Sequence, residues 1–160
     1  MDTIYIETTI VGHIAGRIQR DPIAAARQQI TRDWWQNDAR NFEVFVSQLV
    51  IDECSDGDPS AAAERLDVMK DLDLIDSSEE VDSLAKALIA GKAVPESEPR
   101  DAFHIAIAAV NGVKYLATWN FKHIANASLR KRIEQICLAS GFEPPIICTP
   151  DELMGIDDGS

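Results

Sequence analysis

Four oxygen-bearing side chains in this sequence stand where they could act on one substrate. Glu7 follows a short apolar run, and Glu53 closes the stretch "QLVIDE" after a second such run. Asp101 lies at the start of a helical stretch, and Asn120 comes shortly after the apolar run "YLA". Carboxylate and amide oxygens are hard ligands that suit Mg²⁺ or Mn²⁺ and not zinc. A magnesium ion held by a few carboxylates binds a phosphodiester and activates water, so these residue types predict metal-dependent phosphodiester cleavage.

Each of these side chains also has a structural interpretation that involves no chemistry. Glu7 fits a solvated strand end, and Thr8 and Thr9 fit caps of the helix that follows. The charge of Asp101 favours a helix N-terminus wherever it occurs in the first turn. Asn120 fits a cap after a turn. Taken singly, each structural interpretation is as well supported as the functional one.

Two polar residues next to these side chains are not included among the candidate ligands. Asp52 is adjacent to Glu53 and faces elsewhere on a helix, so we predict that Asp52 lies on the surface. His104 lies one turn after Asp101 on the same helix face, and we interpret it as a packed, hydrogen-bonded histidine in preference to a ligand. No spacing indicates a serine, cysteine or histidine pair for nucleophilic catalysis.

The elements that must position these residues alternate between strands and helices. Apolar, β-branched and aromatic runs predict strands at 3–6, 42–47, 73–75 and 113–118, with a last short strand in "PPIICTP". Helical spacing and capping residues predict helices over 8–18, 22–40, 48–54, 60–70, 78–91 and 127–140, with another in "RDAFHIAIAAVNG" ended by Asn111-Gly112.

This alternation predicts an α/β fold, a three-layer α/β/α sandwich around a mainly parallel sheet. In such sheets ligands bind outside the carboxyl ends of the strands. The polar residues that follow the predicted strands are therefore expected to meet at one edge of the sheet.

Composition indicates the number of domains and the kind of surface charge. The chain has 160 residues, 46% of them hydrophobic, which is typical of one soluble globular domain. The net charge of −12 repels nucleic acid on average. Two basic groups could override it locally: Arg17 with Arg20 and Arg27, and residues 130–132 with Lys122. A solvated helix face explains both groups equally well.

The remaining signals concern the compartment and assembly. Cys54, Cys137 and Cys148 form no close pair and no zinc pattern, which indicates reduced thiols and a cytoplasmic protein. No apolar run is long enough to span a bilayer, and the N-terminus lacks the plan of a signal peptide, so no membrane is expected. The adjacent Trp34 and Trp35 predict core and partner-facing anchors, and an exposed pair would mark an interface.

Several segments together resemble a known family. "IYIETTI", "VSQLVIDE", "DAFHIAIAAVNGVKYLATWNFKHI" and "PPIICTPDEL" resemble PIN-domain proteins, and especially the VapC-type toxins of bacterial toxin–antitoxin pairs. The likeness spans essentially the whole chain, with the third segment the most specific. It implies a single PIN-like domain over 1–155, followed by a frayed tail at 156–160. It also implies an Mg²⁺- or Mn²⁺-dependent ribonuclease acting on RNA, a homodimer, and a cognate antitoxin as partner.

The resemblance assigns roles to individual positions. The metal-binding acids of the family fall on Glu7, Glu53 and Asp101, and the fourth catalytic position falls on Asn120. Hydroxyls that support the site fall on Thr8 and Thr118.

Two of these positions depart from the family pattern. The first acid is usually aspartate, and Glu7 is one methylene longer. The fourth position is often aspartate, and Asn120 is neutral. One negative charge fewer predicts weaker cation binding and one metal ion in place of two.

Three hypotheses follow. The first is a metal-dependent endoribonuclease, the toxin of a toxin–antitoxin pair. The second is a catalytically weakened PIN-like module that acts by binding a partner protein or RNA. The third, another doubly wound enzyme such as a phosphatase, is disfavoured because no second acid stands two residues after Glu7.

Overall fold

Five parallel strands form the centre of the structure, a computed structural model that describes residues 1–155. The strands are β1 (Asp2–Ile6), β2 (Phe42–Ser47), β3 (Asp73–Ile75), β4 (Tyr115–Ala117) and β5 (Ile146–Cys148). Every pairing is parallel, and the order across the sheet is β3-β2-β1-β4-β5. The predicted frayed tail at 156–160 lies outside the described residues.

Helices connect successive strands. They are α1 (Thr8–Ala15), α2 (Pro22–Asn37), α3 (Gln48–Cys54), α4 (Pro59–Met69), α5 (Glu79–Ala90), α6 (Pro99–Val110) and α7 (Ala127–Ala139). The chain moves outward from β1 through β2 to β3, then returns to β4 on the other side of β1. Because parallel crossovers are right-handed, this reversal places α1–α4 and α5–α7 on opposite faces of the sheet. The contacts agree, since α1 packs on α2, α3 and α4 while α5 packs on α6 and α7. The three-layer α/β/α sandwich predicted from the sequence is therefore confirmed.

The core fills both sides of the central strand. Ile4, Tyr5 and Ile6 of β1 are all fully buried, as expected for a parallel strand covered on both faces. Helix α6 is buried along nearly its whole length, from Ala102 to Ala109. This helix carries Asp101 in its first turn, so the buried core fixes the position of that carboxylate.

Three elements differ from the sequence prediction by more than one residue at a boundary. Helix α1 ends at Ala15 and not at 18, because Gly16 is extended and its carbonyl accepts hydrogen bonds from the side chains of Gln28 and Arg32. Helix α2 ends at Asn37 and not at 40, since the chain tightens there into a 3₁₀ turn that leads into β2. Strand β4 is shorter than 113–118, since the Lys114 N–H donates to the Thr3 hydroxyl and not to a strand carbonyl.

Of the two tryptophans predicted as core and partner-facing anchors, Trp34 lies in the core, and the exposed pair that would mark an interface is not found. Trp34 is 0% exposed and packs against Phe42, with only Trp35 partly accessible. The pair is part of the core on the α2 side, so it provides no argument for an interface. Cys54, Cys137 and Cys148 are buried free thiols. Within the described residues, no helix has the length and apolar character needed to cross a bilayer.

Candidate functional site

The strand order reverses between β1 and β4, and Glu7 lies at this point. In open parallel sheets the reversal creates the crevice in which ligands bind. Glu7 follows β1 directly and is the N-cap of α1, accepting a hydrogen bond from the Thr9 N–H at 2.9 Å. The hydroxyls of Thr118 (2.9 Å) and Thr9 also donate to the same oxygen, Oε1. Glu7 is only 3% exposed, so it is not a solvated strand end.

Burial controls the ionisation of Glu7. The loss of solvent raises the pKa of this carboxyl above its ordinary value, and His104 and the hydrogen bonds from Thr9 and Thr118 offset only part of the effect. A carboxylate in this position lacks a full counter-charge. A cation arriving at the crevice would supply one.

Glu53 is held by a second set of partners. Its Oε1 accepts a hydrogen bond from the Thr8 hydroxyl at 2.6 Å and lies 2.7 Å from Nε2 of His104. On the other side of the ring, His104 Nδ1 lies 2.7 Å from the Tyr5 hydroxyl, which lies 2.8 Å from Ser47 Oγ. His104 is 1% exposed, so it is a packed, hydrogen-bonded histidine, as predicted. The hydrogen bonds extend from the end of β2 through β1 and α6 to Glu53 and fix its orientation.

These partners shift the pKa of Glu53 in the direction opposite to the shift at Glu7. Burial by itself would raise the pKa of this carboxyl, but the hydrogen bond and charge of His104, the Thr8 hydroxyl and nearby Arg100 together lower it. Arg100 Nη1 is 3.9 Å from Glu53 Oε2. Glu53 is therefore held as a carboxylate.

Asp101 and Asn120 are joined through a residue that the sequence did not single out. Asp101 Oδ2 lies 2.8 Å from Nδ1 of His123. The backbone N–H of His123 donates to Oδ1 of Asn120 at 3.1 Å, and the backbone N–H of Asn120 donates to the Thr118 hydroxyl at 3.0 Å. That hydroxyl donates to Glu7, so hydrogen bonds made by the side chains and backbone of His123 and Asn120, and by Thr118, link Asp101 to Glu7.

The structure thus brings the six predicted site residues into one region, but through two hydrogen-bonded branches. Thr8 with Glu53 forms one branch. The other contains Glu7, Thr118, Asn120 and Asp101. Asp52 is exposed and bonded to Gln48, as predicted for a surface residue. The capping interpretations apply to Asn120, which accepts an N–H in a turn, and to Asp101, which lies in the first turn of α6. They are wrong for Thr8 and Thr9, because Glu7 is the N-cap and the helix begins at Thr8.

Sequence reasoning missed three contributors, His123, Tyr5 and Ser47. For the bond between His123 and Asn120 a signal was present, since His123 lies three residues after Asn120, a spacing at which a capping side chain accepts a backbone N–H. Tyr5 and Ser47 carry no such signal, because their roles depend on β1 and β2 being neighbours in the sheet.

The donor atoms fit Mg²⁺ or Mn²⁺ in kind. The hydrogen bonds to Glu7 and Glu53 reach Oε1, and that to Asp101 reaches Oδ2, which leaves the second oxygen of each carboxylate without a hydrogen bond. The second oxygen of Glu53 lies 3.9 Å from the Arg100 guanidinium, which a metal ion would have to displace. In this arrangement, however, residues 1–155 contain no group of three or more His, Cys, Asp or Glu side chains placed to hold a metal ion. Binding an ion here would therefore require the three carboxylates to move closer together.

The cysteine nearest the site does not offer an alternative nucleophile. Burial raises the pKa of the Cys54 thiol to about 11, so the reactive thiolate is scarce at neutral pH. This agrees with the absence of a nucleophilic pair in the sequence.

An open cleft of about 700 Å³ adjoins the Asp101–His123 pair. It is lined by His123 and the residues around it, which include two lysines, Lys92 and Lys122, and one acid, Glu96. The overall charge of the protein is strongly negative, but these lysines provide local positive charge next to the site.

The fold has a known counterpart. No family model and no curated protein matches the sequence. Among solved structures, the chain is similar to one in the crystal structure of VapBC2 from Rickettsia felis bound to a DNA fragment from their promoter. The TM-score is 0.55 at 19% sequence identity, and the match covers 91% of this chain and 97% of that chain. The likeness confirms the PIN-like fold predicted from the sequence, and at this identity it is evidence for the fold alone.

Proposed function

We propose that this protein is a divalent-metal-dependent endoribonuclease, the toxin of a toxin–antitoxin pair, with Mg²⁺ or Mn²⁺ as cofactor. The supporting observation is that Glu7 lies at the strand-order reversal of a fold similar to that of a VapBC2 chain. Glu53 is bonded to the adjacent Thr8, and Asp101 and Asn120 are linked to Glu7 through hydrogen bonds of His123 and Thr118. Ligands of open α/β sheets bind at such a reversal.

In the proposed site, Glu7, Glu53 and Asp101 would hold the metal. The ion, when bound, polarises the phosphate and lowers the pKa of water. His104 and His123 hold Glu53 and Asp101 in place through the bonds described above. The amide of Asn120 orients a water molecule beside the phosphate.

The cleft beside His123 provides the path for the RNA backbone. Lys92 and Lys122 line it and would each neutralise a phosphate. A local group of cations is what a protein with a net charge of −12 needs to bind a polyanion.

The proposed partners follow from the fold. The similar chain belongs to a complex, VapBC2, so for this chain we propose a cognate antitoxin as partner. A homodimer and a cytoplasmic location remain part of the proposal on the strength of the sequence resemblance.

The test is a cleavage assay with two matched variants. The wild type should cleave a structured RNA in a manner that depends on added Mn²⁺. Asp101→Asn should lose at least about 100-fold in rate, because loss of even an outer partner of a metal site costs about 10- to 100-fold. Asp52→Asn makes the same chemical change at an exposed carboxyl next to Glu53 and should cleave like the wild type. Equal cleavage by Asp101→Asn and the wild type would refute the assignment.

A second candidate function is a PIN-like module that has lost turnover and acts by binding. It is favoured by the neutral Asn120 and by the internal hydrogen bonds that all three carboxylates make. In that case millimolar Mn²⁺ would not bind, while a small partner protein would copurify with the chain.

A further inference from the structure

Two aromatic residues flank Asn120 on the α2 side of the site. Trp119 is 8% exposed, and its ring N–H donates to the Thr31 hydroxyl of α2 at 2.8 Å. Phe121 is 44% exposed, and the two ring centroids lie 6.0 Å apart in an edge-to-face arrangement. Trp119 is therefore an anchor, and Phe121 is the ring that it presents to solvent.

A cation is held over both rings. The Arg27 guanidinium carbon lies 4.9 Å from the centroid of Phe121 and 5.6 Å from that of Trp119. The same Thr31 hydroxyl that accepts from Trp119 donates to the Arg27 carbonyl at 2.6 Å. This hydroxyl therefore anchors Trp119 to the backbone of α2, while the Arg27 guanidinium contacts the rings through its position over them.

Single exposed apolar side chains are normal and need no function. Phe121 differs because a guanidinium lies over its ring and because it directly follows Asn120 in the chain. Two further cations, Arg17 and Arg20, are exposed on the segment whose Arg17 carbonyl is bonded to Gln28 of α2 at 2.8 Å. An ordered aromatic ring with arginines beside it is the combination that binds unpaired bases of single-stranded nucleic acid.

We propose that Phe121, held by Arg27 and Trp119, is a stacking platform for an unpaired RNA base next to the phosphate cleaved at the site. This inference rests on the proposed function and specifies its substrate class as single-stranded RNA. The metal side of the site then handles the phosphate, and the α2 side receives a base. Stacking is tolerant of base identity, so the platform predicts a preference for unpaired regions over any particular sequence.

The test measures RNA binding by fluorescence anisotropy in the Asp101→Asn background, which prevents cleavage. The probes are a labelled single-stranded oligoadenylate of roughly 12 nucleotides and a wholly abasic ribose-phosphate oligomer of the same length. Phe121→Leu should weaken oligoadenylate binding roughly tenfold and leave binding of the abasic oligomer unchanged. Phe121→Tyr should bind like the parent, because it retains the ring.

Phe142→Leu is the matched control, the same substitution at a ring near the start of α5 and away from Asn120. It should leave both affinities unchanged. If the parent binds oligoadenylate and Phe121→Leu binds it equally well, or loses the same factor with the abasic oligomer, the platform is refuted and the ribonuclease proposal stands. If the parent binds neither oligomer, the platform and the RNA substrate are refuted together.

Discussion

At the scale of single residues, two glutamates at one edge of the sheet differ in their hydrogen-bond partners and in their exposure to solvent. Glu7 receives only hydroxyl and amide donors in a fully enclosed position, and its pKa rises. Glu53 is partly open to solvent and touches an imidazole, and its pKa falls. The difference has a chemical consequence, because Glu7 is the carboxylate that gains most from a cation.

Replacing Glu7 by glutamine should therefore stabilise the protein at neutral and higher pH. Since the folded-state pKa of Glu7 is raised above its ordinary value of 4.5, the stability it contributes is fully present below that pH and is lost as pH rises through the folded pKa. Glu7→Gln removes the buried charge and keeps the acceptor oxygen. We expect the melting temperature to rise by about 2–4 °C at about pH 8, equivalent to about 1 kcal/mol for a chain of this size.

The comparison variant is Glu53→Gln, with thermal unfolding followed by circular dichroism at about pH 5 and about pH 8. Because the pKa of Glu53 is lowered, its stabilising effect is present above the ordinary pKa and is lost on acidification, so Glu53→Gln should lower the melting temperature at the higher pH. The gain from Glu7→Gln should shrink toward the lower pH. A loss of stability in Glu7→Gln at the higher pH would show that the buried carboxylate is well compensated.

At the scale of elements, the sequence predicted the type of every helix and strand named above, and the strand at 42–47 matches β2 in both bounds. Local patterns suffice there because alternation and capping residues act over a few positions. The end of α1 could not be predicted, because Gln28 and Arg32, one helix further along the chain, bind the carbonyl of Gly16. An error of this kind comes from tertiary contacts that a sequence window does not contain.

Alanine substitution of Gly12 and of Gly112 should change the free energy of unfolding in opposite directions. Gly12 lies within α1, and a Cβ there would meet no atom within 4 Å, so Gly12→Ala should stabilise by about 0.5–1 kcal/mol. Gly112 follows the C-terminus of α6 with φ +68°, a left-handed conformation, so Gly112→Ala should destabilise by about 1 kcal/mol even though space is available. Urea denaturation would measure both changes in unfolding free energy, provided that the dependence of that free energy on urea concentration is the same in each variant. The same sign for the two variants would contradict the backbone argument.

At the scale of the whole molecule, the site exists because the strand order reverses beside β1. Glu7 and Asn120 are more than a hundred positions apart in sequence, yet they follow two strands that are paired through Tyr5 and Leu116. The sequence predicted that such residues meet, because parallel strands present their carboxyl ends at one edge. It could not predict His123 as the partner of Asp101, nor the two separate hydrogen-bonded branches, since both depend on how α6 and the segment after β4 pack together.

The most direct test is crystallographic location of Mn²⁺ by anomalous scattering in crystals grown with the metal. We expect a peak at the carboxyl edge of the sheet, within about 2.0–2.5 Å of one oxygen each from Glu7, Glu53 and Asp101. The bonds from Thr118, His104 and His123 to the other oxygens should be kept. A well-ordered structure with no peak there, and with the three carboxylates still bonded only to protein groups, would contradict it.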